Sequence, residues 1–164
     1  MAEYRIALGD IGAGRFAAHG DFRIWTDGDV LCYEVRGPFN LEWVRALGEA
    51  RQRIVAQWRP QQRVGAIVHW RHSALMSPEA LAAYEAGFAQ FKQNARGAVA
   101  LAWVCAEPVE GMGLLSQRFE ALFAASQTDF GLFTDPVAAR AWVDARVARA
   151  RDNAQPASPT TVSR

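Results

Sequence analysis

Two imidazoles lie three residues apart in His69-Trp70-Arg71-His72-Ser73, with an indole and a guanidinium between them and a hydroxyl behind, and Glu107 and Glu110 form a second polar segment further on. Side chains of these types can hold an anion or meet a polar partner surface through charge-assisted hydrogen bonds. They do not make a metal set. His69 and His72 flank a strand end, where a three-residue spacing leaves their relative direction undefined, and no further histidine or Cys-x-x-Cys supports them. Acyl transfer would need a nucleophile, a base and an orienting acid, and the chain has no Gly-x-Ser-x-Gly elbow. An enzyme working through His69, His72, Cys105 and Glu107 would require those side chains to converge. The expectation is therefore a non-enzymatic chain with no catalytic residue, metal or cofactor, whose binding residues are His69, Trp70, Arg71, His72, Ser73 and Glu107.

Ser77 stands before Pro78-Glu79, the pattern that opens a helix. Its hydroxyl is first of all a cap for a free amide of the first turn, worth about 1 kcal/mol. A phosphate there would also be welcome, because the helix dipole and unpaired amides favour negative charge and Arg71 can add a bond, so Ser77 is the candidate phosphorylation site. The glycines of Gly9-x-x-Gly12-x-Gly14 lack the Lys-Ser/Thr and following helix of a phosphate loop and read as a connection. Cys32 and Cys105 sit in apolar, strand-like runs, where a free thiol behaves as a small hydrophobe. Trp58, Trp103 and Trp142 fall on core faces.

The elements that must position these groups follow from hydrophobic rhythm. Tyr4, Ile6 and Leu8 alternate as a strand, Phe22 and Ile24 as another, and Asp27-Gly28 turns the chain into the apolar run Val30 to Arg36. From Val30 onward, strand-length runs alternate four times with helical periods, the signature of βα units on a mostly parallel sheet. The first helix runs from Leu41 to about Gln57 with Asn40 as N-cap and a stripe of Leu41, Val44, Leu47, Ile54, Val55 and Trp58. The second unit joins Val64–Trp70 to a helix carrying Leu81, Tyr84, Phe88 and Phe91. The third joins Ala98–Cys105, apolar throughout and so covered on both faces, to a helix with Leu114, Leu115, Phe119, Leu122 and Phe123. The fourth joins Phe130–Phe133 to a helix opened by Asp135-Pro136, with Val137, Ala141, Trp142, Ala145 and Ala148 on one side.

The 164 residues, 51% apolar, suit one domain over residues 1–151, and the Pro-, Ser- and Thr-containing residues 152–164 read as a disordered tail. A net charge of +1 without basic or acidic blocks excludes the usual electrostatic basis for nucleic-acid or anionic-membrane binding. Arg140, Arg146, Arg149 and Arg151 read as a solvated face of the last helix. The N-terminus is not a secretory signal and no run reaches the roughly 18 apolar residues of a membrane span, so a soluble, cytoplasmic protein is expected. Self-association through an edge strand or helix face fits equally, giving a homodimer.

Gly37-Pro38-Phe39-Asn40-Leu41-Glu42, Phe133-Thr134-Asp135-Pro136 and the four βα units with an extra N-terminal strand pair resemble the SpoIIAA-like fold of STAS domains, over Asp21 to Arg149. The resemblance implies an α/β domain acting as a protein-interaction or regulatory module with an unidentified protein partner. It also implies a regulatory Ser or Thr at the start of the second unit's helix. The Asp-Ser-Ser/Thr-Gly-Leu context of that site is absent from His69 to Pro78, which leaves Ser77 and Ser73 as candidates by position. A second reading is a small-ligand or lipid-binding carrier, suggested by Phe88, Phe119 and Phe123 and by the distant similarity of STAS-type folds to lipid carriers. Polar side chains beyond the carboxyl ends of the strands, from His69 to Ser77 and from Cys105 to Gly111, are the first place to look for a site.

Overall fold

A computed structural model describes residues 4–12, 16–59, 61–93 and 97–154. Arg5–Ala7 (β1) leads through a 3-10 turn at Leu8–Asp10 to the hairpin of Asp21–Asp27 (β2) and Val30–Arg36 (β3). Asp27 faces Val30 across the turn, and Gly28 takes φ 60°, a left-handed conformation that costs glycine little. Three crossovers and a final helix follow: Leu41–Val55 (α1), Gly65–Arg71 (β4), Pro78–Gln93 (α2), Ala100–Val104 (β5), Met112–Ala125 (α3), Asp129–Phe133 (β6) and Pro136–Asp152 (α4). Local chemistry sets the helix starts. The Asn40 side chain accepts from the Trp43 amide at 3.1 Å, and Asp135 accepts from the amides of Val137 and Ala138.

The six strands lie in sequence order, antiparallel from β1 to β3 and parallel from β3 to β6. Every crossover steps in the same direction, and connections of one hand then deliver their helices to one face. There Trp43 and Leu47 of α1 and Phe119 and Phe123 of α3 bury Tyr33, Val68, Trp70 and Trp103. α4 is not a crossover. It covers the other face, with Ala139, Val143 and Val147 on Cys32, Ile67, Ala102 and Val104. β5 is buried along its whole length, as its continuous apolarity predicts.

Two helical stripes differ from expectation. In α4 the sheet-facing residues are Ala139, Val143 and Val147, whereas Val137 is 76% exposed and Trp142 half-buried. In this orientation its arginines reach acids at the rim of the sheet: Arg140 pairs with Asp27, Arg151 with Asp29 in the hairpin turn, and Arg146 with Asp129 at 3.1 Å while lying over the Trp142 ring. Arg140, Arg146 and Arg151 thus form an ion-paired seam, each exposed pair contributing up to about 1 kcal/mol, while Arg149 is exposed as a solvated face requires. In α3, Leu114 is 77% exposed, and Leu115, Phe119 and Phe123 carry the packing. The Phe91 side chain, Gly14 and the tail beyond residue 154 lie outside the described residues; α4 itself continues through Asp152. Among the described residues no helix is long and apolar enough to cross a membrane.

Candidate functional site

A crevice opens at strand ends where neighbouring connections leave to opposite faces of a sheet. Here the connections after β3, β4 and β5 all leave to one face, and between those strands the loops close on each other; the change of face falls between β5 and β6, since α4 goes to the other side. The Gly37 amide donates to the Ser73 carbonyl at 3.1 Å, Phe39 to Leu75 at 2.9 Å and Ser77 to Phe39 at 3.2 Å. On the other side Ala74 donates to Glu110 at 2.8 Å, and Glu110 donates to His72 at 3.0 Å. The bridges Phe39–Met76 and Ser73–Glu110 extend the parallel ladder past the strands. The expected polar loop is therefore a stitched edge.

Strand parity sorts the predicted site residues. Trp70 points into the α1–α3 core, its ring 4.9 Å from Trp103 and 6.0 Å from Phe39, and only 1% of it is exposed. Ser73 is fully buried, and its Oγ accepts from the Leu75 amide at 3.2 Å. These two hold the loop from behind. His69 and Arg71 stand on the opposite face of the sheet, where Arg71 spans Glu34 at 3.7 Å and Glu107 at 3.4 Å. His72 is exposed, at a left-handed φ of 64°. Ser77 is half-buried, and its Oγ accepts from the Ala80 amide at 3.2 Å, which makes it the N-cap of α2. Cys105 packs on the α1–α3 side and His69 on the α4 side, so His69, His72, Cys105 and Glu107 do not converge. Both cysteines are free thiols; burial pushes Cys32 up to about 11 and Cys105 upward as well. No group of three or more candidate metal ligands occurs among the described residues.

Burial, then the Arg71 charge, holds the His69 imidazole below its ordinary value of 6.5, against the opposing pull of Glu34. The folded chain consequently binds fewer protons than the unfolded chain just below that pH, and stability should fall as pH drops through 6.5 toward the folded-state value. Urea midpoints measured across this range should decline on the acid side in the native chain and decline less in His69→Gln. Equal slopes would assign the dependence to other groups.

A second site was not anticipated from sequence. Between the sheet and the helices α1 and α2 lies a cavity of about 60 Å³, walled by Leu31, Tyr33, Val35, Trp43, Arg51, Trp70, Tyr84 and neighbouring apolar residues. The Arg51 guanidinium carbon lies 5.7 Å from the centre of the Tyr33 ring. Burial works against the Arg51 charge, yet the guanidinium keeps its proton. Burial also raises both tyrosines, against the pull of Arg51, which keeps their hydroxyls protonated. The sequence does carry a signal for this site, since Arg51 falls between Leu47 and Ile54 at helical spacing, a cation inside the apolar stripe of α1. No family model, curated protein or solved structure matches this chain.

Proposed function

We propose that this chain is a non-enzymatic, cytoplasmic interaction module of the SpoIIAA/STAS-like kind, which offers the stitched carboxyl edge of its sheet to a protein partner. The observation that carries the reading is the ladder from Phe39 through Leu75 and Ser73 to Glu110, which holds the edge in one conformation before a partner arrives. A surface ordered in advance loses little entropy on association. Anchors are present on it. Leu75 is 44% exposed above Gly111, and Leu114 is 77% exposed one helical turn further on. Arg71, His72 and Glu107 supply the polar rim that such anchors need. Sequential βα units with α1 to α3 on one face agree with the resemblance. Phosphorylation of Ser77 would act by exchanging its cap for a charged group beside the anchors.

Affinity capture from cytosol on the full-length chain, read by mass spectrometry, tests this. The native chain should enrich a defined protein, and the surface double variant Leu75→Asp/Leu114→Glu should lose it, while Ser77→Glu changes its yield. Enrichment of nothing above background, or enrichment indifferent to the double variant, rejects the reading.

The cavity beneath α1 and α2 favours a second reading, a carrier of a small molecule. Its volume of about 60 Å³ suits a compact ligand and is too small for a lipid chain.

A further inference from the structure

We propose that β6 pairs antiparallel with the β6 of a second copy of this chain, Phe130 opposite Leu132 of the other copy and Gly131 on the two-fold axis, so that two sheets become one.

β6 ends the sheet, away from the stitched loops of β3 to β5, and no strand of the chain lies on its outer side. In the parallel ladder with β5, the Asp129 amide donates to Val99 at 3.3 Å and the Phe133 carbonyl accepts from Cys105 at 2.8 Å. Alternate residues of a strand turn their backbone groups to the same side. Asp129, Gly131 and Phe133 therefore face β5, and the N–H and C=O groups of Phe130 and Leu132 face outward. Among the described residues none bonds them. Such an edge is a template for a further strand, and natural chains blunt it with proline, lysine, a bulge or a short strand. β6 has no such device: its register with β5 runs unbroken from Asp129 to Phe133, and its one charge, Asp129, is matched by Arg146 at 3.1 Å. The opposite edge, β1, is only three residues long and carries Arg5.

The side chains select the occupant. Leu132 is 48% exposed, and Phe130, Phe133 and Trp142 are half-buried, with Trp142 packed on Phe133 over Gly131. Phe130-Gly131-Leu132 reads apolar, glycine, apolar in both directions, which suits a second copy better than an unrelated strand. With the axis at Gly131, Phe130 and Leu132 exchange both backbone hydrogen bonds with Leu132 and Phe130 of the other copy, and their side chains meet on the α3 face. An axis at Phe130 would set Leu132 against Thr128, whose amide already donates to Phe123 at 3.1 Å. An axis at Leu132 would set Phe130 against the polar Thr134. The residues beyond 154 fit the edge less well. α4 carries the chain from β6 to the hairpin turn, where Arg151 pairs with Asp29, and Pro156 and Pro159 lack the N–H that a ladder uses. Pairing like edge with like edge closes at a dimer. The contact between five-residue strands is small beside the roughly 800 Å² per partner of a standard interface, so the dimer should dissociate on dilution.

Sedimentation equilibrium of the full-length chain, from micromolar to near-millimolar concentration, tests this. The native chain should pass from monomer to dimer and stop there. Leu132→Lys places a cation on the open edge opposite Phe130 and should weaken the dimer about tenfold or more. Leu114→Glu, on the exposed side of α3, should leave it unchanged. If Leu132→Lys does not fold, the native chain decides alone. In an equal mixture of isotope-labelled and unlabelled chain, intermolecular NOEs should join the Leu132 methyls to the Phe130 ring, and hydrogen exchange at the Phe130 and Leu132 amides should slow as concentration rises. A monomer throughout the range overturns the proposal, as does a dimer that is indifferent to Leu132→Lys, lacks those NOEs or is weakened equally by Leu114→Glu. Growth beyond the dimer also overturns it. Slow exchange at Phe130 and Leu132 in the monomer does so too, since the chain's own residues would then cover the edge.

Discussion

Gly37→Ala is expected to destabilise the chain by about 3 kcal/mol and to undo the stitched edge. The Gly37 amide donates to the Ser73 carbonyl, and a β-carbon on the same residue would fall well inside 3.0 Å of that oxygen and of the Phe39 ring. Neither neighbour can yield cheaply. Ser73 is buried in the ladder that runs on to Glu110, and the Phe39 ring lies 3.9 Å from Trp43 and 6.0 Å from Trp70, centre to centre. The substitution must therefore break the hydrogen bond and displace the loop together. Denaturation midpoints report the stability, and hydrogen exchange at the amides of Phe39, Ala74 and Glu110 reports the ladder. Native-like protection at those amides would mean that the edge is held by something other than this close approach. Loss of the ladder should also abolish partner capture, which ties the stability of the edge to the proposed function.

Trp103→Ala should cost about 4 kcal/mol, a large part of the 5–15 kcal/mol by which a domain is ordinarily stable. Trp103 is the hub of the larger core. Its ring centre lies 4.9 Å from Trp70, 5.1 Å from Phe130, 5.6 Å from Phe119 and 5.9 Å from Phe123, so it joins β4, β6 and α3. Removing it opens a void that these rings cannot fill without moving, and Trp70 would lose the wall that fixes the strand-end loop. Trp103→Phe should cost clearly less, because it keeps a ring and removes an indole N–H that has no acceptor among the described residues. Leu114→Ala, on the exposed side of α3, should stay within about 0.5 kcal/mol. Urea unfolding with near-ultraviolet circular dichroism gives the comparison, and a Trp103→Ala cost no larger than that of Leu114→Ala would remove Trp103 from the centre of the core.

Features set within a few residues were legible in the sequence. The Asp27-Gly28 turn, the Asn40, Ser77 and Asp135 caps and the four-fold alternation of strand and helix all appear where turn chemistry and periodicity put them, because both ends of each interaction lie in the same short segment. Strand order and the common face of α1 to α3 follow from that alternation once crossovers share one hand. The rotation of α4 was not legible. Alanines and valines encircle the helix, so its apolar pattern is weak, and the face that packs as Ala139, Val143 and Val147, with arginines paired to acids from elsewhere in the chain, appears only in the tertiary structure.

The candidate sites divide in the same way. Sequence by itself identified His69 to Ser77 as a polar segment at a strand end. Only the sheet determined that Trp70 turns inward while His69 and Arg71 face α4, since one residue of register reverses every side chain, and Ser73 is buried beyond the left-handed His72, where the alternation has ended. Arg51 stood in plain view on the stripe of α1, yet its meaning depended on Tyr33 from β3, Tyr84 from α2 and the indoles of Trp43 and Trp70 gathering around one cavity. Backbone preferences act over a few residues and can be read along the chain, whereas a site assembled from four elements exists only after burial has brought them together.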